Sequence, residues 1–340
     1  MLFSTSNKSF LITTHRKHIL MNTITRTLPF LSIVLFIAFT GCRRNDDNLI
    51  TPDEFQTDIA YFKYLSQNND AYADFDELSG DDALDNIFSK SVPDFRNGKT
   101  PLQPLKFRKE IVSFLREFSV DTVSDSVRIL HIKKTLTGNF IIKGIQHDTD
   151  TVTITKPFTL HTYRDMKFHR MQKTGRMSER WKPYAITAGS GATAMAQDSF
   201  AITSLSMHNL TTGDSLTVLV PLAHWFVFGE NGSVFHTHKH DSIKIRFVIE
   251  STSADTEIVF TCVGRGRSLN YHKRIFIPLV AQEQTGITYR RTYERIFDVH
   301  HGNGRFNSAF EVVSHNTLYD DSSAKLTSAF WSIPYRTENH

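Results

Sequence analysis

Histidine is the residue type best placed for chemistry in this chain, with 16 among 340 residues. His236-Thr237-His238-Lys239-His240-Asp241 gathers three of them within five positions. On a β-strand, alternate side chains share a face, so His236, His238 and His240 would stand about 6–7 Å from neighbour to neighbour. Neutral imidazoles in such a row suit zinc, copper or nickel. Three ligands on one straight strand cannot easily converge on a single ion, so a centre there needs a further donor such as His224 or Asp241. Lys239 in the middle fits equally well with a hairpin end whose histidines only face water. His300-His301 beside Gly302 repeats the theme more weakly.

Other catalytic patterns fail on spacing. Ser190, in Gly189-Ser190-Gly191, lacks the surroundings of a nucleophile elbow. Gly264-Arg265-Gly266-Arg267 has neither the spacing nor the helix of a dinucleotide loop, and no phosphate loop occurs. No two carboxylates stand in an acid–base motif. Asp320 and Asp321 are a calcium-type pair, but two acids in a turn ordinarily face water. Cys262, on an apolar alternating stretch, reads as a small core residue. No catalytic residue and no cofactor follow from these patterns.

A different chemistry is written between Leu28 and Cys42, LPFLSIVLFIAFTGC. Its apolar core is too short to span a bilayer as a helix, which takes about 20 residues, but suits a secretory signal. Arg26 supplies the positive flank. Phe39-Thr40-Gly41-Cys42 resembles the lipobox of bacterial lipoproteins. That resemblance implies cleavage after Gly41, lipid on Cys42, and a place in the cell envelope, specifically the outer membrane of a diderm bacterium. Residues 1–41 then form the signal, with 1–20 a candidate for upstream read-through before Met21. Residues 42–50 form a polar tether.

Charge and cysteine usage follow from that division. Residues 1–41 hold four of the 39 basic residues and no acid, so the remainder balances 35 basic against 35 acidic residues. The basic character of the whole chain is thus no argument for nucleic-acid binding. With Cys42 acylated, Cys262 stands alone and no intrachain disulfide forms, leaving apolar cores to supply stability. Within the first domain, residues 43–94 carry 4 basic and 13 acidic side chains, and residues 95–182 carry 18 and 8. Either acidic helices dock on a basic sheet, or the basic segment forms a groove for an anionic ligand or the membrane surface.

The elements that would position these groups are helices first and strands after. Thr51-Pro52-Asp53-Glu54 has the form of a capping box, and Phe55, Ile59, Phe62 and Leu65 follow at helical spacing. The spacing predicts helices over 52–66, 81–88 and 104–118. Beyond residue 125 the period shifts to two, with turns expected at Thr137-Gly138-Asn139, 147–150 and 174–176. Three helices before a twisted sheet ending in Trp181-Lys182 and Tyr184 to Ile186 resemble the NTF2-like α+β cone, over residues 51–188. That family hosts both hydrolases and carriers, which implies a cavity between helices and sheet.

The small residues of 189–196 predict a linker. From residue 197 to 340 the chain alternates strand after strand, with turns at Thr212-Gly213-Asp214, 230–233 and 301–304. That pattern suits an antiparallel β-sandwich and resembles an immunoglobulin-like domain without its disulfide. Two functional readings remain: a non-enzymatic, membrane-tethered protein that binds an envelope protein or small ligand, or a carrier or hydrolase working in the cone's cavity.

Overall fold

Three long strands, β1 (Leu102–Ser124), β2 (Val127–Gln146) and β3 (Asp150–Arg170), run as an antiparallel meander. Ahead of them lies one helix, α1 (Asp58–Asn68). The computed structural model describes residues 57–68, 102–146, 150–172, 174–196, 199–229, 232–263, 273–299, 303–320 and 325–338. Cys42 and the apolar run before it, the helix expected over 81–88, Gly264 to Arg267 and His300-His301 lie outside the described residues.

The meander corrects the expectation of a helical α+β cone. Residues 104–118, whose apolar spacing suggested a helix, are the first part of β1. The cause is visible in its pairing with β2, where the register shifts between Pro104 and Lys106 and again between Ile111 and Ser113. These bulges interrupt the alternation of the first half of the strand, and past them Phe114 and Leu115, on opposite faces, are both 61% exposed, so the apolar spacing is not a buried helical stripe. Thr137-Gly138-Asn139 is not a turn either, but lies in the middle of β2. Glycine is needed there because a Cβ would sit 2.1 Å from the Glu110 carbonyl oxygen beside the second bulge.

The remaining elements are α2 (Met177–Arg180), β4 (Trp181–Thr187), β5 (Gly189–Thr193), β6 (Phe200–Asn209), β7 (Ser215–Val218), β8 (Trp225–Val227), β9 (Phe235–His238) and β10 (Ser242–Ser251). After them come β11 (Ile258–Val263), β12 (Lys273–Ile277), β13 (Leu279–Thr285), β14 (Thr288–Asp298), β15 (Gly304–Val313), α3 (His315–Tyr319) and β16 (Ser328–Glu338). The large sheet follows the path β1-β2-β3-β5-β16-β15-β11-β12; β4 joins β3 to β8, and β9 runs parallel to β16. The small sheet is β13-β14-β10-β6-β7. The fold is sandwich-like and mostly β, but the large sheet takes strands from both halves of the chain, so no separate immunoglobulin-like domain stands at 197–340. The stretch expected as a linker forms β5, hydrogen-bonded to β3 on one side and β16 on the other. Its small residues have a packing reason: a Cβ on Gly191 would meet the Phe330 ring at 2.2 Å.

β15 is buried without a break from Phe306 to Val313, and β16 from Ser328 to Tyr335. One face of this pair packs on the small sheet, where the Phe247 ring lies 6.2 Å from Phe310 and 6.4 Å from Trp331. The other face meets the β1–β3 arm, and Ala309, Val313 and Phe330 cluster there with Phe107, Phe140, Phe158 and Leu160. Phe107 also comes 5.7 Å from Phe260 of β11. The pair is therefore a middle layer, covered on both sides. Aromatic side chains fill the place where a cone would have its cavity.

Three lysines and an arginine sit on the inward face of the arm. Lys109, Lys134, Lys156 and Arg164 are each buried to within 1% of full burial. Buried cations persist only when charge and hydrogen bonds satisfy them. The Lys109 ammonium pairs with Glu311, which also accepts from the Ser328 hydroxyl. Lys156 donates to the carbonyls of Asn316 and Asp320 at 3.2 and 2.9 Å, the carbonyl-rich end of α3. Arg164 reaches Asn307 Oδ1 at 3.1 Å and the Ser332 carbonyl at 3.2 Å. Part of the basic excess of 95–182 is thus internal and lines no groove. α1 closes the far end of the arm, with Phe62 stacked 4.1 Å from Phe168 and edge-on to Trp181 at 5.4 Å. No helix among the described residues is long and apolar enough to cross a membrane.

Candidate functional site

The histidine run divides where β9 ends. His236 and His238 lie on the strand and share a face, each about one-third exposed. His240 has left the strand: its φ of 76° is left-handed, and its backbone N–H donates to the Val299 carbonyl at 2.8 Å. Asp241 is buried, and its Oδ2 accepts from Asn209 Nδ2 at 2.6 Å and from the His238 backbone N–H at 2.7 Å. That carboxylate braces the turn, in the way aspartates commonly do. His224 stands at the end of a short turn with its ring 4.8 Å from that of Phe226, and burial lowers its pKa. The structure therefore brings His236 and His238 side by side and leaves His240 apart. Among the described residues, no group of three metal-ligating side chains is placed to hold an ion.

A second histidine is held by two carboxylates on the outer face of the arm. His131 Nδ1 is 2.8 Å from Asp165 Oδ1, and Nε2 is 3.1 Å from Asp121 Oδ2. Burial pulls the pKa of His131 down, but its hydrogen bonds and charge pairing with Asp165 and Asp121 raise it on balance. Burial raises the pKa of Asp165, with His131 opposing. With both ring nitrogens engaged, this imidazole works as a cross-strand clip.

A polar concavity lies elsewhere. A cleft of about 330 Å³ opens at one end of the sandwich, between the loop that follows β10, the α3 region and the start of β6. Ser253, Asp255, His315, Asn316, Asp320 and Lys325 supply polar groups, and Phe200 supplies an apolar patch. The volume lies at the lower end of the range of small-ligand sites, and the lining is polar apart from Phe200.

Its walls are fixed by buried polar networks. From β14, Arg291 grips the loop: Nη1 bonds both carboxylate oxygens of Glu257 at 2.8 and 3.0 Å. Nη2 bonds the carbonyls of Ser253 and Ala254 at 2.7 and 2.9 Å, and Nε bonds Gln282 Oε1 at 2.7 Å. Such a fork holds a loop more firmly than a lysine could. The Tyr293 hydroxyl donates to Glu257 as well, and burial raises its pKa. On the opposite wall the Ser314 hydroxyl caps α3 by accepting from the Thr317 N–H at 3.3 Å, and Lys156 closes the other end of that helix. The His315 ring stacks on Tyr319 at 4.4 Å, and burial pushes the Tyr319 hydroxyl up to about 12.

Sequence reasoning did not find this cleft. Its residues come from loops about sixty positions apart, and none carries a motif. The local signals were the polar clusters Ser253-Ala254-Asp255 and His315-Asn316-Thr317, and Asp320 of the calcium-type pair, which lines the cleft. No family model matches the chain, and no curated protein and no solved structure is detectably similar to it.

Proposed function

We propose that this is a non-catalytic binding protein of the bacterial cell envelope, tethered to the membrane by lipid on Cys42, with the polar cleft as its ligand site. The cleft carries the reading. It offers hydroxyl, amide and carboxylate groups on walls set in advance by the Arg291–Glu257 network, and preorganisation lowers the ordering cost of binding. Its lining matches a hydroxylated ligand of saccharide type, which needs many directional hydrogen bonds and an apolar patch. The tether rests on Phe39-Thr40-Gly41-Cys42 after the apolar run, and an outer-membrane location goes with it.

Calorimetric titration of the full chain with neutral oligosaccharides tests the cleft. Removing the Asp255 carboxylate by Asp255→Ala should weaken binding about tenfold or more, the worth of one charge-assisted hydrogen bond. Absence of saccharide binding overturns the ligand class. Palmitate labelling of cells expressing wild type and Cys42→Ala tests the tether separately, and label retained by the variant overturns it.

A further inference from the structure

His236 stands in a row with two arginines that no local pattern connects. Arg305 on β15 is the direct cross-strand partner of Arg336 on β16, and Arg336 is the register partner of His236 on β9. Side chains paired in this way share a face, and at about 4.8 Å per strand the row spans about 10 Å. We propose that Arg305, Arg336 and His236 form a binding site for a phosphate-type oxyanion, distinct from the polar cleft.

Like charges directly opposite one another destabilise a sheet. Here burial, and then the charge of Arg336, lower the pKa of Arg305, so the two guanidiniums sense each other. Glu338 Oε1 lies 2.8 Å from Arg336 Nε and 3.9 Å from His236 Nδ1, so one carboxylate faces both side chains. The three side chains also line one small cleft together with Phe228, Val234, Phe306, Pro334 and Tyr335. Its volume of about 20 Å³ admits a group near the size of one water. One water fits inside, so the anionic head rests at the mouth, across the three basic side chains, and the body of the ligand stays outside.

The surroundings hold the row in place. The Phe228 ring lies 5.6 Å from the Arg305 guanidinium, a cation–π distance. Phe228 is set there by a tight turn. Its N–H donates to the Tyr184 carbonyl at 2.8 Å, Gly229 has φ 120°, and a Cβ on Gly232 would sit 2.1 Å from the Val227 carbonyl oxygen. Guanidiniums bind planar pairs of oxygens, and paired arginines favour anions that offer several such pairs. A tetrahedral oxyanion presents oxygens in several directions and can meet two guanidiniums and an imidazole at once. A carboxylate offers two oxygens in one plane.

The test is thermal melting of the full chain with 10 mM inorganic phosphate against chloride at equal ionic strength, since a ligand that binds only the folded state raises its midpoint. We expect a rise of about 2 °C or more for wild type and none for Arg305→Gln or Arg336→Gln. Co-sedimentation with vesicles of phosphatidic acid in phosphatidylcholine, against phosphatidylcholine alone, distinguishes a soluble phosphate compound from a lipid headgroup. Binding in either arm that is lost in both variants supports the site. No response in either arm, an equal response in the variants, or an equal shift with acetate overturns it.

Discussion

The carboxylate of Glu311 lies at the centre of the molecule, fully buried, with the Lys109 ammonium and the Ser328 hydroxyl on the same oxygen. Removing one member leaves the other charged and dry. Glu311→Ala should therefore cost about 3–5 kcal/mol, measured by urea unfolding. Replacing both charges with apolar groups of similar size, as in Lys109→Met with Glu311→Leu, should recover most of that loss. A double variant no more stable than Glu311→Ala would show that the pair supplies net stability. Neither residue stood out in the sequence. A lysine on an alternating strand normally marks the solvent face, and only the middle-layer position of β15 turns Lys109 inward. Arg305 and Arg336 were hidden for a related reason, since residues about thirty positions apart meet only through the β15–β16 register.

At the scale of elements, what could be read depended on alternation. β10 and β14 pair in unbroken register, and β10 stays legible although it carries one bulge against β6 between Val248 and Ile249. β1 carries bulges in its first half, and beyond them Phe114 and Leu115 expose apolar side chains on opposite faces, so its sequence shows no alternation. β5 was obscured by composition: glycine and alanine signal a linker, but here they let two strands approach under the Phe330 ring. The ion pairs across the arm give these long strands a pH dependence. The folded-state pKa of His131 is raised above 6.5. Its stabilising contribution is thus complete below the unfolded value and is lost as pH rises through the folded one. The raised carboxyl of Asp165 acts in the acid range, where burial favours its protonated form. Urea midpoints between pH 6 and 9 should fall more for wild type than for His131→Gln. Parallel curves would show that the clip contributes nothing.

For the molecule as a whole, the doubly covered β15–β16 layer ties the two halves of the chain together. Phe330, Val313 and Ala309 are buried by the arm, while Trp331, Phe310 and Val312 are buried by the small sheet. A fragment of residues 197–340 keeps the small sheet but exposes the arm-facing side, including Glu311. It should be expanded or aggregated, and co-expression with residues 43–196 should restore a soluble complex. Sharp amide dispersion from the isolated fragment would contradict this. The expectation of two successive domains failed because alternation shows where strands are and is silent about which strands they join.

The position of β16 in the chain has a consequence for biogenesis. It pairs with β5, β9 and β15, yet it follows them, the arm and the small sheet in the chain. During synthesis the arm and the small sheet leave the ribosome before the strand that holds them together. Closure waits for residues 328–338, and non-local pairing of this kind is slow. Until then the faces that β15 and β16 will cover stay exposed, which lengthens the time in which a holding chaperone is needed.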